Sequence, residues 1–447
     1  MDLEMLRELM SNKAYSRLKN EMTASEPADI AEFIDELDEK QALLAFRLLP
    51  KNKAADVFSH LSVEKQLELS NLINENELTA IISDLDFDDK VDLLEEMPPD
   101  IVGRILRNTN AVERKLINQF LMYPENSAGS LMTIEYVELL KEMSVGEALE
   151  QIRKSAPDKE TIYTCYVTDG QRRLEGIVTL KDMVLSRKDG TIGSIMKKDP
   201  VFVNTYDDQE HIAGIFKKYD LLTLPVTDNE NRMVGIITID DIVDVIEKEN
   251  TEDFHKMAAI QAVGEEYMSA GVFTLARKRI LWLLILMVSA TFASMIIERY
   301  EDVLRWDVAL TAFIPMLMNT GGSAGAQVSV LVIRSIVLNE VSFGDVFRII
   351  WKETRVSVLV GVALAAISFL RIYYIERYAF GIAITVSLTL IITIIVAKIM
   401  GGTLPLMAKK VGFDPAVMAS PLITTIVDAV SLIIYFTFAT WILGIHA

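Results

Sequence analysis

Apolar residues recur at spacings of three and four from the N-terminus to about residue 125, as in Ile30-Ala-Glu-Phe-Ile-Asp-Glu-Leu37. One apolar stripe per turn predicts helix after helix. Pro27, Pro50 and the pair Pro98-Pro99 punctuate the run. The stretches Ala42 to Pro50, Ala54 to Ser62 and Leu93 to Pro98 read as short related hairpin units, so an all-α superhelix is expected over 1–125. From about Asp241 to Gly271 the helical period returns in an acidic register and predicts a connecting helix. Five apolar segments follow, near Ile280–Ile297, Val308–Leu338, Val356–Tyr374, Phe380–Met400 and Pro415–Leu443. Each is long enough to cross a hydrocarbon core of ~30 Å at ~1.5 Å per residue, given some tilt. The second carries Pro315 and Gly321-Gly322, which predict a kinked or partly unwound span.

Between the helical run and the connecting helix the pattern is duplicated. Gly129-Ser-Leu-Met-Thr-Ile-Glu-Tyr-Val returns as Gly193-Ser-Ile-Met-Lys-Lys-Asp-Pro-Val, and Gly176-Ile-Val-Thr-Leu-Lys-Asp-Met-Val returns as Gly235-Ile-Ile-Thr-Ile-Asp-Asp-Ile-Val. Each copy reads as strand, helix, two strands divided by a turn, and a helix opening at Thr-x-x-Asp. This paired pattern resembles a tandem of α/β CBS modules, placed here at 126–246.

Charge separates along the same boundary. Residues 271–447 hold 14 Lys/Arg and 10 Asp/Glu, so residues 1–270 carry a formal −23 of a total of −19. A strongly acidic surface repels phosphate and excludes nucleic acid as a natural partner. It attracts divalent cations, whose hard charge suits carboxylate oxygen; a plain solubilising surface has the same composition. One cysteine, Cys165, rules out an intrachain disulfide framework. The opening Met-Asp-Leu-Glu has no basic or apolar leader, so no signal peptide is expected. Arg277-Lys-Arg279, then Arg334, Arg348, Lys352 and Arg355, then Lys398, Lys409 and Lys410 fall on one side of the spans. The positive-inside rule puts that side, and the acidic region, in the cytosol of a plasma-membrane protein, with Ala447 outside.

Asp428 is the most informative residue. It sits mid-span in Pro421-Leu-Ile-Thr-Thr-Ile-Val-Asp, with no Lys or Arg in the same span. An intramembrane carboxylate costs about 2.5–3.5 kcal/mol on insertion scales and marks an ion site, or a protonated acid bonded to a neighbouring helix. Thr424 and Thr425 add hydroxyl oxygens a turn before it. In Thr320-Gly-Gly-Ser-Ala-Gly-Ala-Gln327, three glycines within five residues offer either freed carbonyls for an ion or close helix packing. A P-loop is absent, and His60, His211, His255 and His446 form no zinc spacing, so neither ATP-driven pumping nor enzymatic chemistry is expected.

With these motifs in order, the chain resembles the MgtE family of magnesium channels and transporters over nearly all its length. The matching segments include Ser59-His-Leu-Ser62, Ala128-Gly-Ser-Leu-Met132, Thr161-Ile-Tyr163, Ile239-Asp-Asp-Ile-Val-Asp-Val245, Thr251-Glu-Asp-Phe-His-Lys256, Thr320-Gly-Gly322 and Asp414-Pro-Ala. The resemblance implies a multidomain protein: a superhelical N domain (1–125), a CBS pair (126–246), a connecting plug helix (247–271) and a five-helix transmembrane pore domain (272–447). It implies a homodimer in the lipid bilayer, with the pore along the subunit interface and Asp428 as the pore carboxylate. Thr320, Gly321, Gly322, Ser323, Gly325, Gln327, Ser420, Thr424 and Thr425 would line that pore. Gating Mg²⁺ would bind Asp56, Asp88 and Asp92 of the N domain and Asp208, Asp220, Asp241 and Asp244 of the second CBS module. Glu249, Glu252 and Asp253 of the plug helix and Asp414 at the mouth of the last span complete that set. ATP is a candidate cofactor at Thr179, Asp182 and Thr238.

The sequence departs from the family at Ser323, Ala326 and Ser420, where asparagine is usual, which implies a pore less strict for Mg²⁺. Transport of Mn²⁺ or Co²⁺, and a membrane sensor that transports nothing, are the competing readings.

Overall fold

The computed structural model describes residues 3–261, 271–338, 340–418 and 420–444. The chain separates into two compact units, Met1–Ile246 and Glu247–Ala447.

The first unit opens with ten helices of nine or ten residues, from Leu3–Ser11 to Ala111–Phe120. The sequence sets their starts: Asp38, Ser62, Asn74 and Asn110 accept backbone N–H groups of the first turn, and Pro27 and Pro99 occupy first-turn positions. Each helix is too short to bury its stripe alone. Alternate helices therefore stack, Pro27–Asp35 on Lys51–Ser59, that on Glu75–Asp84, and that on Pro99–Asn108, which is the superhelix the spacing predicts.

Two α/β modules follow. In the first, strand Glu138–Leu140 runs parallel to Thr164–Thr168, which pairs antiparallel with Leu174–Thr179. In the second, Val203–Asn204, Thr223–Thr227 and Met233–Thr238 repeat the arrangement. The duplicated Gly-Ser-x-Met segments cross over between modules. Lys197 and Lys198, after the second copy, pair with the first module's Leu174–Thr179, while Thr133, after the first copy, bridges to Ile236 of the second. The glycines explain the repeat. A Cβ on Gly176 would lie 2.8 Å from the Lys197 carbonyl oxygen, and one on Gly235 would lie 2.7 Å from that of Thr133. One apolar core runs from Leu6 to Val245 and joins the superhelix to the second module.

The helix Ile239–Met257 departs from the expectation of a connecting helix running to Gly271. Ala259 takes a left-handed φ of 53°, and the Ile260 N–H returns to the His255 carbonyl, which closes the helix. Residues 262–270 of that expected helix lie outside the described residues.

The second unit holds five helices long and apolar enough to cross a membrane: Val272–Arg299, Ala309–Val337, Phe343–Ile375, Phe380–Val411 and Pro415–Leu443. The second span is a continuous helix through Pro315 and all three glycines, so the expected partial unwinding is absent there. Close packing accompanies the unbroken helix. Gly321, Gly322 and Gly325 are buried, and side chains at these positions would collide with Thr393, Thr424 and Ile423. The fourth span approaches so closely that a Cβ on Gly401 would overlap the Gly325 carbonyl oxygen. The second, fourth and fifth spans form the core of the unit. The first span buries no residue within the chain.

Candidate metal centres and pore

Carboxylates from distant parts of the sequence converge in the first unit. Asp86 stands at the N-cap of helix Phe87–Glu96, yet its side chain caps nothing. Glu135 and Glu160 follow the first Gly-Ser-x-Met segment and the helix of the first module, and the Glu160 N–H donates to the Glu135 carbonyl at 2.9 Å. Carboxylate oxygens of Asp86, Glu135 and Glu160 lie within 4.8 Å of one another. These three residues were not among the expected ligands; nothing in their spacing announces them, and only the fold brings them together.

Expected ligands join this cluster. Burial, then the charges of Asp241, Glu160 and Asp89, push the Asp88 carboxyl up to about 9. Burial, then Asp86, Asp240, Asp241 and Glu135, raise Glu160 to about 7. Burial raises Asp241 to about 6, with Asp240 adding to it and a hydrogen bond from Thr238 working against it. Burial and Asp56 raise Asp86. Asp88 Oδ1 is buried and meets no hydrogen-bond donor. Such a set is repulsive when ionised, and oxygen-rich and anionic in the way a hard divalent ion requires.

Asp208 and Asp220 stand at the two ends of one helix. Asp208 caps the helix Gln209–Tyr219 through the Glu210 N–H, and Asp220 closes its far end with a φ of 50°. Eleven residues of helix, about 16 Å, separate them, so they share no ion. Asp56, Asp92 and Asp244 are exposed.

In the second unit, Lys256 occupies the place expected for an ion near Glu252 and Asp414. Its Nζ lies 2.6 Å from Asp414 Oδ2 and 2.8 Å from Glu252 Oε1. Burial works against its charge, but the hydrogen bonds to Asp414 and Glu252 raise its pKa above the ordinary lysine value. The other Asp414 oxygen accepts the Ala416 N–H at 2.8 Å. Glu249 and Asp253 lie on the same helix and are half-buried.

Asp428 lies in the helix Ser420–Leu443, and its Oδ1 is buried without a hydrogen-bond donor among the described residues. Thr424, one turn earlier, packs on Gly322. The Thr425 hydroxyl donates to the Pro421 carbonyl at 2.9 Å. The expected pore-lining residues of the second span divide between two faces. Gly321, Gly322 and Gly325 are buried against neighbouring spans, whereas Ser323 and Gln327 are exposed and Thr320 is half-buried. The Ser420 side chain, His446 and Ala447 lie outside what is described.

In the Thr-x-x-Asp pairs, the Thr179 and Thr238 hydroxyls donate to Asp182 Oδ2 and Asp241 Oδ2, each at 2.6 Å. Both pairs thus brace a helix start; Asp182 remains exposed.

Comparison with known proteins agrees with these two units. A family profile described as divalent cation transporter matches residues 314–438, one for the MgtE intracellular N domain matches 25–126, and one for CBS domains matches 128–188 and 192–248. The magnesium transporter MgtE of Thermus thermophilus is 35% identical over 98% of this chain and 98% of its own length. That of Bacillus subtilis is 31% identical over 93% of this chain and 91% of its own length. A crystal structure of the cytosolic domain of the Mg²⁺ channel MgtE in complex with ATP superposes with a TM-score of 0.52 at 36% identity. It covers 54% of this chain and 99% of that one. Near-full-length identity, the paired modules and five apolar spans carrying one mid-span carboxylate leave one assignment: the chain belongs to the MgtE family of divalent cation transporters.

Proposed function

We propose that the protein is a homodimeric channel that passes Mg²⁺ down its electrochemical gradient and is closed by Mg²⁺ on its cytosolic carboxylates. The observation that carries the conduction half is Asp428: a mid-span carboxylate whose Oδ1 is buried and meets no donor among the described residues. A hydrated divalent ion, which sheds its inner water reluctantly, matches one carboxylate with nearby hydroxyls better than it matches a closed cage. Thr424 and Thr425 stand one turn from Asp428, and the glycine face of the second span lets the fifth approach closely. The exposed Ser323 and Gln327, with a first span that buries nothing in one chain, support a second copy as what completes the pore. The related magnesium transporters support Mg²⁺ as the cargo.

The gating half rests on charge. Burial, and then the neighbouring carboxylates, raise Asp88, Glu160 and Asp241, so the metal-free arrangement resists ionisation and an ion between these groups reverses the sign. Moving a pore from mostly open to mostly closed takes about 5.5 kcal/mol of differential binding, which several weak sites supply more readily than one. The basic residues at the ends of the spans support a cytosolic first unit and an outside C-terminus in the plasma membrane. The ATP-bound relative supports an adenine nucleotide near Thr179 and the exposed Asp182, as a ligand separate from the gating ions.

The test is uptake of Mg²⁺, Mn²⁺ and Co²⁺ into liposomes holding the full chain, with and without millimolar Mg²⁺ on the face bearing the first unit. Conduction that this Mg²⁺ shuts off is the expected result. Replacing Asp88, Asp92, Asp244 and Glu252 together by alanine should leave conduction and remove closure. Absence of any divalent uptake would favour the sensor that transports nothing.

A further inference from the structure

The last turn of the helix Ile239–Met257 touches the spans of the second unit. Met257 packs against Ile333 of the second span and Ala416 ahead of the fifth. Lys256, beside it, places its ammonium between Glu252 and Asp414, at 2.8 and 2.6 Å. None of the three side chains is more than 41% exposed, so water screens the contact only in part. Glu252 precedes Lys256 by four residues, the favourable order for a helical ion pair, and a cation in the last turn also faces the negative end of the helix. Asp414 Oδ1 meanwhile caps the short turn Pro415–Met418 that leads into the helix of Asp428.

The ammonium therefore sits on the same two carboxylates that the gating reading gives to a divalent ion. We infer that Lys256 is a tethered counter-cation that competes with divalent ions for Glu252 and Asp414, and so sets the concentration at which the pore closes. This rests on the gating reading above. An entering ion must displace Lys256 before either oxygen is free for it. The lysine is fixed at its site while the ion is not, so low ion concentrations lose and higher ones win. A positive charge bound to both carboxylates also keeps Asp414 from repelling Glu252 while no ion is present, which holds the lead-in to the fifth span in place.

The test is flux of Mg²⁺ through the full chain in liposomes, read against graded Mg²⁺ on the face bearing the first unit, for wild type, Lys256→Met and Lys256→Arg. The methionine variant keeps the length and loses the charge. It should close at about three- to tenfold lower Mg²⁺, the range that a half-buried ion pair supplies. The arginine variant should stay within about twofold of wild type, because it keeps the charge. Lys256→Gln repeats the neutral arm should the methionine variant fail to assemble. A neutral variant that closes at the wild-type concentration, or only at a higher one, overturns the inference, and a higher one would mark Lys256 as a structural latch. A wild type that conducts but ignores Mg²⁺ on that face overturns the gating reading and the inference with it. A wild type that closes while the neutral variants match it overturns the inference alone.

Discussion

Gly322 meets Thr424 with no room for a methyl group: a Cβ at Gly322 would lie 2.6 Å from Thr424 Cγ2. Thr424 stands one helical turn before Asp428, so this contact limits how closely that turn of the fifth span approaches the second.

Gly322→Ala should therefore push the fifth span outward. Overpacking of this kind costs about 1–3 kcal/mol. We expect a lower melting temperature in detergent and flux reduced by at least about tenfold. Ser323→Ala, on the exposed side of the same helix, should leave the melting temperature within about 1 °C. Equal effects of the two changes would contradict the packing account.

The carboxylate cluster makes a pH prediction. Asp88, Glu160 and Asp241 have folded-state values raised to about 9, about 7 and about 6 from ordinary values of 3.8, 4.5 and 3.8. A raised acid favours the folded state most below its unfolded value, and that advantage is lost as pH rises through the folded value. Metal-free protein should thus lose stability between about pH 4 and pH 9, and Mg²⁺ should flatten the loss. At pH 7 ion binding should release about one to two protons per chain, read by calorimetry in buffers of different ionisation enthalpy. Asp88→Asn removes the cost of keeping a buried carboxyl protonated at pH 8, so it should raise the metal-free melting temperature there and blunt the proton release. Proton uptake on Mg²⁺ binding would contradict this picture.

Selectivity is the next test. Restoring asparagine at Ser323, Ala326 and Ser420 together should raise the preference for Mg²⁺ over Mn²⁺ and Co²⁺ in competition uptake by about threefold, a shift of under 1 kcal/mol. An unchanged ratio would show that these positions do not set it.

How much of this was legible in the sequence depends on the range of the interaction. The five spans follow from local composition, and the paired modules from a repeat whose glycines, Gly176 and Gly235, meet the same carbonyl contact twice. The helix through Pro315 and Gly321 was not legible. Local propensity predicts a break there, and the packing of Thr393 and Thr424 against the glycines overrides it. The end of the helix at Met257 turns on a left-handed Ala259, a residue type with no such preference. Asp86, Glu135 and Glu160 meet only because the superhelix and the first module meet, so no spacing could reveal them. Lys256 carried a local signal, four residues after Glu252, but its second partner Asp414 is supplied by the fold.

The central claim is that Asp428 forms part of the path for the ion. Its most direct test is Mg²⁺ uptake into liposomes by wild type, Asp428→Asn and Asp428→Ala, each checked for folding by its elution profile. Both variants should elute as wild type does. The alanine variant should lose uptake by at least about a hundredfold, the scale of about 2.7 kcal/mol, and asparagine should recover little because it keeps the size without the charge. Uptake by Asp428→Ala at the wild-type rate would contradict the account.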